Sequence, residues 1–341
     1  MPGKNSMSFA EILGQEPAIK LLKNSLERGK VAHAYLFYGI EGIGKEKTAR
    51  ALARALNCLS PLADAPGRKG VEACGGECRS CLKMESGTHP DLIVIKPSGA
   101  FIRIEQIRSL QRQLIYKPLE GRYRIIIITN ADLLNKESAN CLLKTLEEPP
   151  DASIIILMAT DINELLPTIV SRCQAVPFRP LSPEVISEYL CSYGDNRFPP
   201  AQAALLASLS GGSLGRAVRL ADSPLMEMRR DVCIQLISLS RQDMQGLLLL
   251  AEDLAGRKEE LPEIIAMLST CLRDLLFLRQ GLDERHLINK DLREVLFEGA
   301  RRWTEKEIIH GLELLHSAEQ AVTRNYNRQL ILENLFLQLA H

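Results

Sequence analysis

The chain has 341 residues, enough for two or three domains, and 46% of them are hydrophobic, enough to fill sizeable cores. Lysine plus arginine and aspartate plus glutamate number 42 each, so formal net charge is zero, which argues against a free-standing nucleic-acid binder. No apolar run is long enough to span a bilayer, and residues 1–7 lack the apolar core of a signal peptide. The expected location is cytoplasmic, and nine cysteines in such a reducing compartment argue for metal binding or burial, not disulfides.

Phe9 to Leu13 is a short apolar lead-in, and Gln15 to Arg28 carries Ala18, Ile19, Leu21, Leu22 and Leu26 at helical spacing. Ala34 to Tyr38 reads as a buried strand and Thr48 to Leu56 as a helix. Between them stands Gly39-Ile-Glu-Gly-Ile-Gly-Lys45, the G-x-x-x-x-G-K spacing of a phosphate-binding loop. Gly39, Gly42 and Gly44 let backbone N–H groups approach phosphate, and Lys45 reaches the terminal phosphates. The next residue should be Ser or Thr, whose hydroxyl holds magnesium. It is Glu46, a carboxylate that would repel polyphosphate. The loop reads as present but defective. Binding of ATP or ADP without turnover, and a turn kept only for folding, both stay open.

Leu59 to Ala73 is rich in Pro, Gly and small residues and reads as an exposed loop. Cys74, Cys78 and Cys81 then form C-x3-C-x2-C, with Gly75 and Gly76 in the knuckle. Cys58, at the end of the preceding helix, supplies a fourth thiolate, and four sulfurs suit a closed, tetrahedral structural zinc site. His89 is the alternative fourth ligand. The competing reading is a set of buried free thiols, but three cysteines in eight residues of a polar loop are poorly placed for a core. No open coordination position is implied, so no zinc catalysis is expected. Cys141, Cys173, Cys191, Cys233 and Cys271 read as ordinary buried thiols on apolar faces.

Asp91 to Lys96, Arg124 to Thr129, Ser153 to Ala159 and Ala175 to Phe178 are further strands. They alternate with helices at Ile104 to Leu114, Lys136 to Glu147 and Leu165 to Ser171. Continuous apolar strands between helices imply an α/β fold with a parallel sheet covered on both faces. A P-loop ATPase needs an acidic pair at the end of its next core strand, to hold magnesium and orient water. Those positions are Thr129 and Asn130, and Asp132 lies two to three residues too far along. Together with Glu46 this makes hydrolysis by this chain unexpected. Glu147 and Glu148 are adjacent on a helix, so they point about 100° apart. They read as a helix end at a domain interface, not as an acid/base pair.

After Pro180 the strands stop. Pro183 to Ser192, Pro200 to Leu209 and Leu214 to Ala221 read as three short helices. Beyond Pro224 everything is helical: Ile264, Ile265, Leu268, Leu272 and Leu275 share one face, and Leu332, Leu335, Phe336 and Leu339 another. Three units are expected: α/β over 1–179 with the insertion 58–81, a helical lid over 180–222, and an all-α C-terminal domain over 223–341.

Several motifs carry a family resemblance. Lys144-Thr-Leu-Glu-Glu-Pro-Pro150 and Ser171-Arg-Cys173 resemble hallmark motifs of AAA+ clamp-loader subunits, and Asn140 to Leu143 resembles the N-A-L-L that precedes the first of them. The cysteine knuckle, His33-Ala-Tyr-Leu-Phe37 and Gly211-Gly-Ser-Leu-Gly-Arg216 are similar to the bacterial members. The resemblance runs from about Phe9 to the C-terminal helices. Motor subunits of the gamma/tau type keep G-K-T or G-K-S and D-E motifs, which this sequence lacks. A motor-type G-S-L-R would also put a phosphate-sensing arginine at position 215, where Gly215 stands with Arg216 one place on. The chain therefore resembles the non-hydrolysing arm of the bacterial DNA polymerase III loader.

The resemblance implies an AAA+ domain with a zinc knuckle, a lid, and a C-terminal share of an oligomeric collar. It implies partners: gamma/tau-type and delta subunits, the sliding clamp, and primer-template DNA reached through the complex. It also implies that Arg172 points into a neighbouring subunit's ATP site, where such a finger is worth on the order of 10³–10⁵ in rate. Without the resemblance Arg172 reads as a surface salt bridge. Two other readings of the whole chain compete: an ATP-hydrolysing gamma/tau-type motor, and a zinc-ribbon DNA-binding module.

Overall fold

Five parallel strands form one sheet in the order β2-β3-β4-β1-β5. They are β1 (Ala34–Tyr38), β2 (Leu92–Ile95), β3 (Arg124–Ile128), β4 (Ser153–Ala159) and β5 (Gln174–Pro177). Side chains alternate across a strand, so a strand covered on both faces must be apolar throughout. β1 shows this directly: Tyr35 and Phe37 enter the core beneath α1 (Glu16–Glu27) and α2 (Lys45–Asn57). Ala34 and Leu36 enter the opposite core with Ile107 and Leu110 of α4 (Ile104–Leu114) and Leu142 of α5 (Lys136–Glu147). A short α3 (Arg79–Glu85) precedes β2. The register pairs Leu36 with Leu157 on one side and with Ala175 on the other, which places β1 inside the sheet. The α/β expectation is met. This is the structure of a computed structural model that describes residues 8–60, 74, 76–192, 198–239, 242–323 and 326–340. Most of the expected 59–73 loop, and Gly75 of the knuckle, lie outside the described residues.

Most boundaries fall within a residue of expectation, and the two larger differences have local reasons. α2 starts at Lys45, earlier than Thr48, because Gly44 caps it with a left-handed φ of 100° and Thr48 Oγ1 donates to the Gly44 carbonyl at 2.8 Å. The expected helix at Leu165 to Ser171 shrinks to α6 (Pro167–Val170). Pro167 drives Leu166 into an extended conformation, so the helix cannot start before the proline.

The chain divides into two units, Met1–Asn196 with Gly212–Arg216, and Arg197–Gly211 with Ala217–His341. The first holds the sheet, its helices and α7 (Pro183–Ser192). The second holds α8 (Pro200–Leu209) and all but the first residues of α9 (Leu214–Ala221). It continues as α10 (Leu225–Ile237), α11 (Met244–Gly256), α12 (Leu261–Arg279), α13 (Arg293–Arg302), α14 (Glu305–Thr323) and α15 (Arg328–Leu339). Ile264, Ile265, Leu268, Leu272 and Leu275 of α12 are buried, as their spacing predicts. Buried Asp274 accepts from the backbone N–H groups of Ile288 and Asn289, at 3.0 and 2.7 Å, and so ties the α12–α13 connection to the helix.

One cysteine expectation is corrected here. Cys233 and Cys271 are joined in a disulfide, with Cα atoms 6.4 Å apart. Each was expected as an isolated buried thiol. Both do lie on buried faces, but of helices packed against each other, α10 and α12, and at facing positions. Cys141, Cys173 and Cys191 are free thiols, partly buried.

Candidate functional site

The phosphate loop leaves the carboxyl end of β1 and enters α2, the position from which a loop in an α/β sheet can cradle a ligand. Here it is closed on the chain itself. Gly42 has φ +77°, and a Cβ there would lie 2.4 Å from Ser213 Oγ. Ser213 Oγ donates to the Glu41 carbonyl at 2.7 Å, and the Gly215 N–H donates to the Gly42 carbonyl at 2.8 Å. Position 215 thus faces the loop. A Cβ on Gly215 would come within 2.9 Å of the Gly42 Cα, so no side chain fits there while the contact holds.

Lys45 turns its ammonium onto the carbonyls of Gly39 and Ile40, the latter at 2.8 Å. Burial lowers its pKa, and the charges of Asp132 and Glu41 partly oppose that. Glu46 turns along α2 to Arg50, which donates to it at 2.7 and 2.9 Å. Its charge is therefore compensated on the helix surface, a partner the spacing of the loop did not suggest. Gln15 was missed as well. It is 1% exposed, and its amide bridges the Ile43 carbonyl and both backbone groups of Arg179, pinning the loop to the end of β5. A lone Gln ahead of a helix carries no signal for such a long-range bridge.

At the expected acidic positions, the Thr129 hydroxyl is spent inside the sheet on the Ile95 carbonyl at 3.2 Å, and Asn130 sits in a left-handed turn with φ 52°. Asp132 comes closer to the loop than its sequence offset implied. The 3₁₀ turn Ala131–Leu133 folds it back, so that its charge acts on Lys45. Its carboxylate accepts from the Thr160 hydroxyl and from the Thr160 N–H at 3.2 Å.

Arg172 lies in the turn between α6 and β5. Its Nη2 donates to Glu147 Oε1 at 2.6 Å and its Nη1 to the Thr168 carbonyl at 3.0 Å. The arginine side chain is 35% exposed and that of Glu147 48%. Glu147, at the end of α5, is thus tied to Arg172, a partner that its place at a helix end does not suggest. Beside Arg172, burial pushes the Cys173 thiol up to about 12.

Cys58, Cys74, Cys78 and Cys81 converge, with all four sulfurs within 4.8 Å of one another. The Cys74–Cys81 and Cys58–Cys78 sulfurs are 3.6 and 3.9 Å apart. A tetrahedron with metal–sulfur bonds of about 2.3 Å has sulfurs about 3.8 Å apart, so the group fits a tetrathiolate zinc ion. Backbone N–H groups of Cys74, Cys78 and Cys81 point at the sulfurs of Cys58, Cys74 and Cys78, at 3.3 to 3.5 Å. At Cys78 burial raises the thiol pKa, but N–H groups of Cys81 and Leu59 and the neighbouring thiols outweigh it, and the value falls to about 6. Burial raises Cys81, and the Arg54 guanidinium opposes that rise. His89 stands outside the group. Its Nε2 contacts Ser80 Oγ at 3.2 Å, and its Nδ1 accepts from the Asp91 N–H at 3.1 Å.

Comparison with known proteins places the chain in a family. Residues 14–182 match the family described as DNA polymerase III, delta subunit, and residues 223–341 match its C-terminal counterpart. The DNA polymerase III subunit delta' of Bacillus subtilis is 32% identical over 339 residues, spanning 98% of this chain and 99% of the relative. The subunit delta' of Pseudomonas aeruginosa is 34% identical over 321 residues, spanning 92% and 93%. The tau subunit of Escherichia coli is 35% identical over 234 residues, but these span 68% of this chain and 35% of tau. No helix among the described residues is long and apolar enough to cross a membrane. With relatives matched from end to end, the chain belongs to the delta-prime family of DNA polymerase III subunits.

Proposed function

We propose that this chain is a clamp-loader subunit that does not hydrolyse ATP and instead completes a neighbour's active site with Arg172. The observation that carries the reading is a contrast within one unit. The chain's own loop is turned inward, with Lys45 on the carbonyls of Gly39 and Ile40 and Gly215 on Gly42. Arg172 meanwhile is partly exposed, with its guanidinium held by Glu147. A guanidinium delivered in trans neutralises charge on the transferring phosphoryl group without needing a functional site in its own chain.

In this reading Gly39, Gly42, Gly44 and Lys45 serve as scaffold. Cys58, Cys74, Cys78 and Cys81 hold a structural zinc ion, which supplies a cross-link between α2 and α3 and no catalysis. Residues 1–179 form the AAA+ domain, 180–222 the lid and 223–341 the collar share. The ends of the two family matches, at 182 and 223, support that division. The partners are gamma/tau-type motors and a delta subunit in the cytoplasm, acting on the sliding clamp and primed DNA. The test is ATPase of a reconstituted loader carrying Arg172→Ala, stimulated by clamp and primed DNA. Loss of activity supports the reading, and wild-type activity removes the finger.

One observation favours the motor alternative: Asp132 acts on Lys45 beside a complete G-x-x-x-x-G-K loop. Turnover by the purified chain that Lys45→Ala abolishes would establish it.

A further inference from the structure

Arg54 lies on α2, one turn before Cys58, and is 2% exposed. Its Nη2 donates to the carbonyl of Cys74 at 2.9 Å. Its Nε and Nη1 are buried with no hydrogen-bond partner among the described residues, and the guanidinium acts on the Cys81 thiol. A guanidinium cannot shed its proton, so a buried one without a counter-charge is costly. Nothing in the loop or the Arg172 surface uses it. The knuckle packs so closely on it that a Cβ at Gly76 would lie 3.0 Å from Nη2 and 4.0 Å from Glu85 Oε2, a carboxylate that is nearby but is not hydrogen-bonded to the two orphaned nitrogens.

The neighbouring four-cysteine group is where a counter-charge arises. Four protonated thiols are neutral and weak acceptors. Four thiolates around one divalent ion carry two negative charges in excess and accept N–H donors readily. We propose that Arg54 is the charge-balancing positioning residue of the four-cysteine metal centre. It offsets part of the excess negative charge and braces the Cys74 backbone so that the thiolates stay converged. The inference rests on the zinc reading of the cluster.

The experiment uses the full chain as wild type, Arg54→Lys and Arg54→Gln, under thiol-reducing conditions. Lysine keeps the charge and loses the planar fork, while glutamine keeps a donor and loses the charge. Zinc affinity is measured by competition with a chromogenic chelator, and thermal unfolding is followed with and without metal. Arg54→Gln is expected to weaken zinc binding about 10–100-fold, and Arg54→Lys less. Arg54→Gln is also expected to lower the Tm of the zinc-loaded chain while leaving the metal-free chain unchanged or higher. A residue that merely braced a carbonyl would lower both Tm values alike, and that result, or a glutamine variant unfolded even without metal, overturns the proposal. So does zinc affinity in Arg54→Gln equal to wild type or better than in Arg54→Lys. Wild-type chain that purifies folded and zinc-free overturns this inference together with the zinc reading; zinc-loaded wild type with an indifferent Arg54 overturns this inference alone.

Discussion

The Arg172 guanidinium and the Glu147 carboxylate meet at 2.6 Å, joining the last turn of α5 to the turn after α6. Both ends are partly exposed, so the pair contributes no more than about 1 kcal/mol to folding. Its consequence is orientation. Arg172→Ala is expected to leave stability within about 1 kcal/mol of wild type, while the reconstituted loader loses ATPase by a factor on the order of 10³ at the adjacent motor site. Arg172→Lys restores little, since an ammonium lacks the fork that spans two phosphate oxygens. Glu147→Ala falls between wild type and Arg172→Ala. The measurement is clamp- and DNA-stimulated ATPase, and full activity in Arg172→Ala excludes the role.

The isolated chain is expected to show negligible ATP turnover. Glu46→Thr alone does not restore it, because Thr129 and Asn130 still lack the acidic pair. Lys45→Ala changes loader activity far less than Arg172→Ala. Steady-state phosphate release from the purified chain decides the first point, and a larger loss from Lys45→Ala than from Arg172→Ala would transfer the active role to the chain's own loop.

Gly215→Arg recreates the motor-type sequence position but meets the Gly42 backbone, which a Cβ already approaches to 2.9 Å. It is expected to destabilise the first unit by about 1–3 kcal/mol, the range for overpacking, without conferring turnover. Chemical denaturation checks it; unchanged stability would show that the contact between Gly215 and the loop opens at little cost.

Metal analysis of the purified chain is expected to find one zinc per chain. Cys78→Ser should release it and loosen residues 58–81, with the α10–α15 helices still folded. Hydrogen exchange resolves the two regions, and a folded, zinc-free wild type removes the site.

Asp91 is fully buried and accepts from the N–H groups of Leu119, Glu120 and Gly121, at 2.7 to 2.8 Å, and from Arg124. Burial raises its pKa, but those donors outweigh it and hold the carboxyl below the usual range. A carboxyl depressed on folding stabilises the fold above its unfolded pKa, about 4, and that stability is lost as pH falls through the lower folded value. Asp91→Ala is expected to cost about 3–5 kcal/mol at neutral pH, by leaving Arg124 uncompensated. The cost shrinks on acidification. Denaturant midpoints from pH 7 to pH 2 test it, and a pH-independent cost rejects the charge argument.

Much of this molecule was legible locally. Apolar runs such as Ile125 to Ile128 are strands because only a doubly covered strand tolerates them, and Gly44-Lys45 marks a loop-to-helix start by backbone freedom alone. The spacing Cys74, Cys78, Cys81 predicts convergence because a knuckle is a local turn. Tertiary packing decided the rest. Cys58 rather than His89 joins the thiols because Ser80 and the Asp91 N–H take up the histidine ring. Cys233 finds Cys271 only when α10 packs on α12. Glu147 finds Arg172, and Gly215 finds Gly42, across stretches of chain whose approach no local propensity encodes. Periodicity and turn chemistry act within a few residues, so they determine elements. Which side chains meet depends on how finished elements share their apolar cores, and that is a property of the folded chain alone.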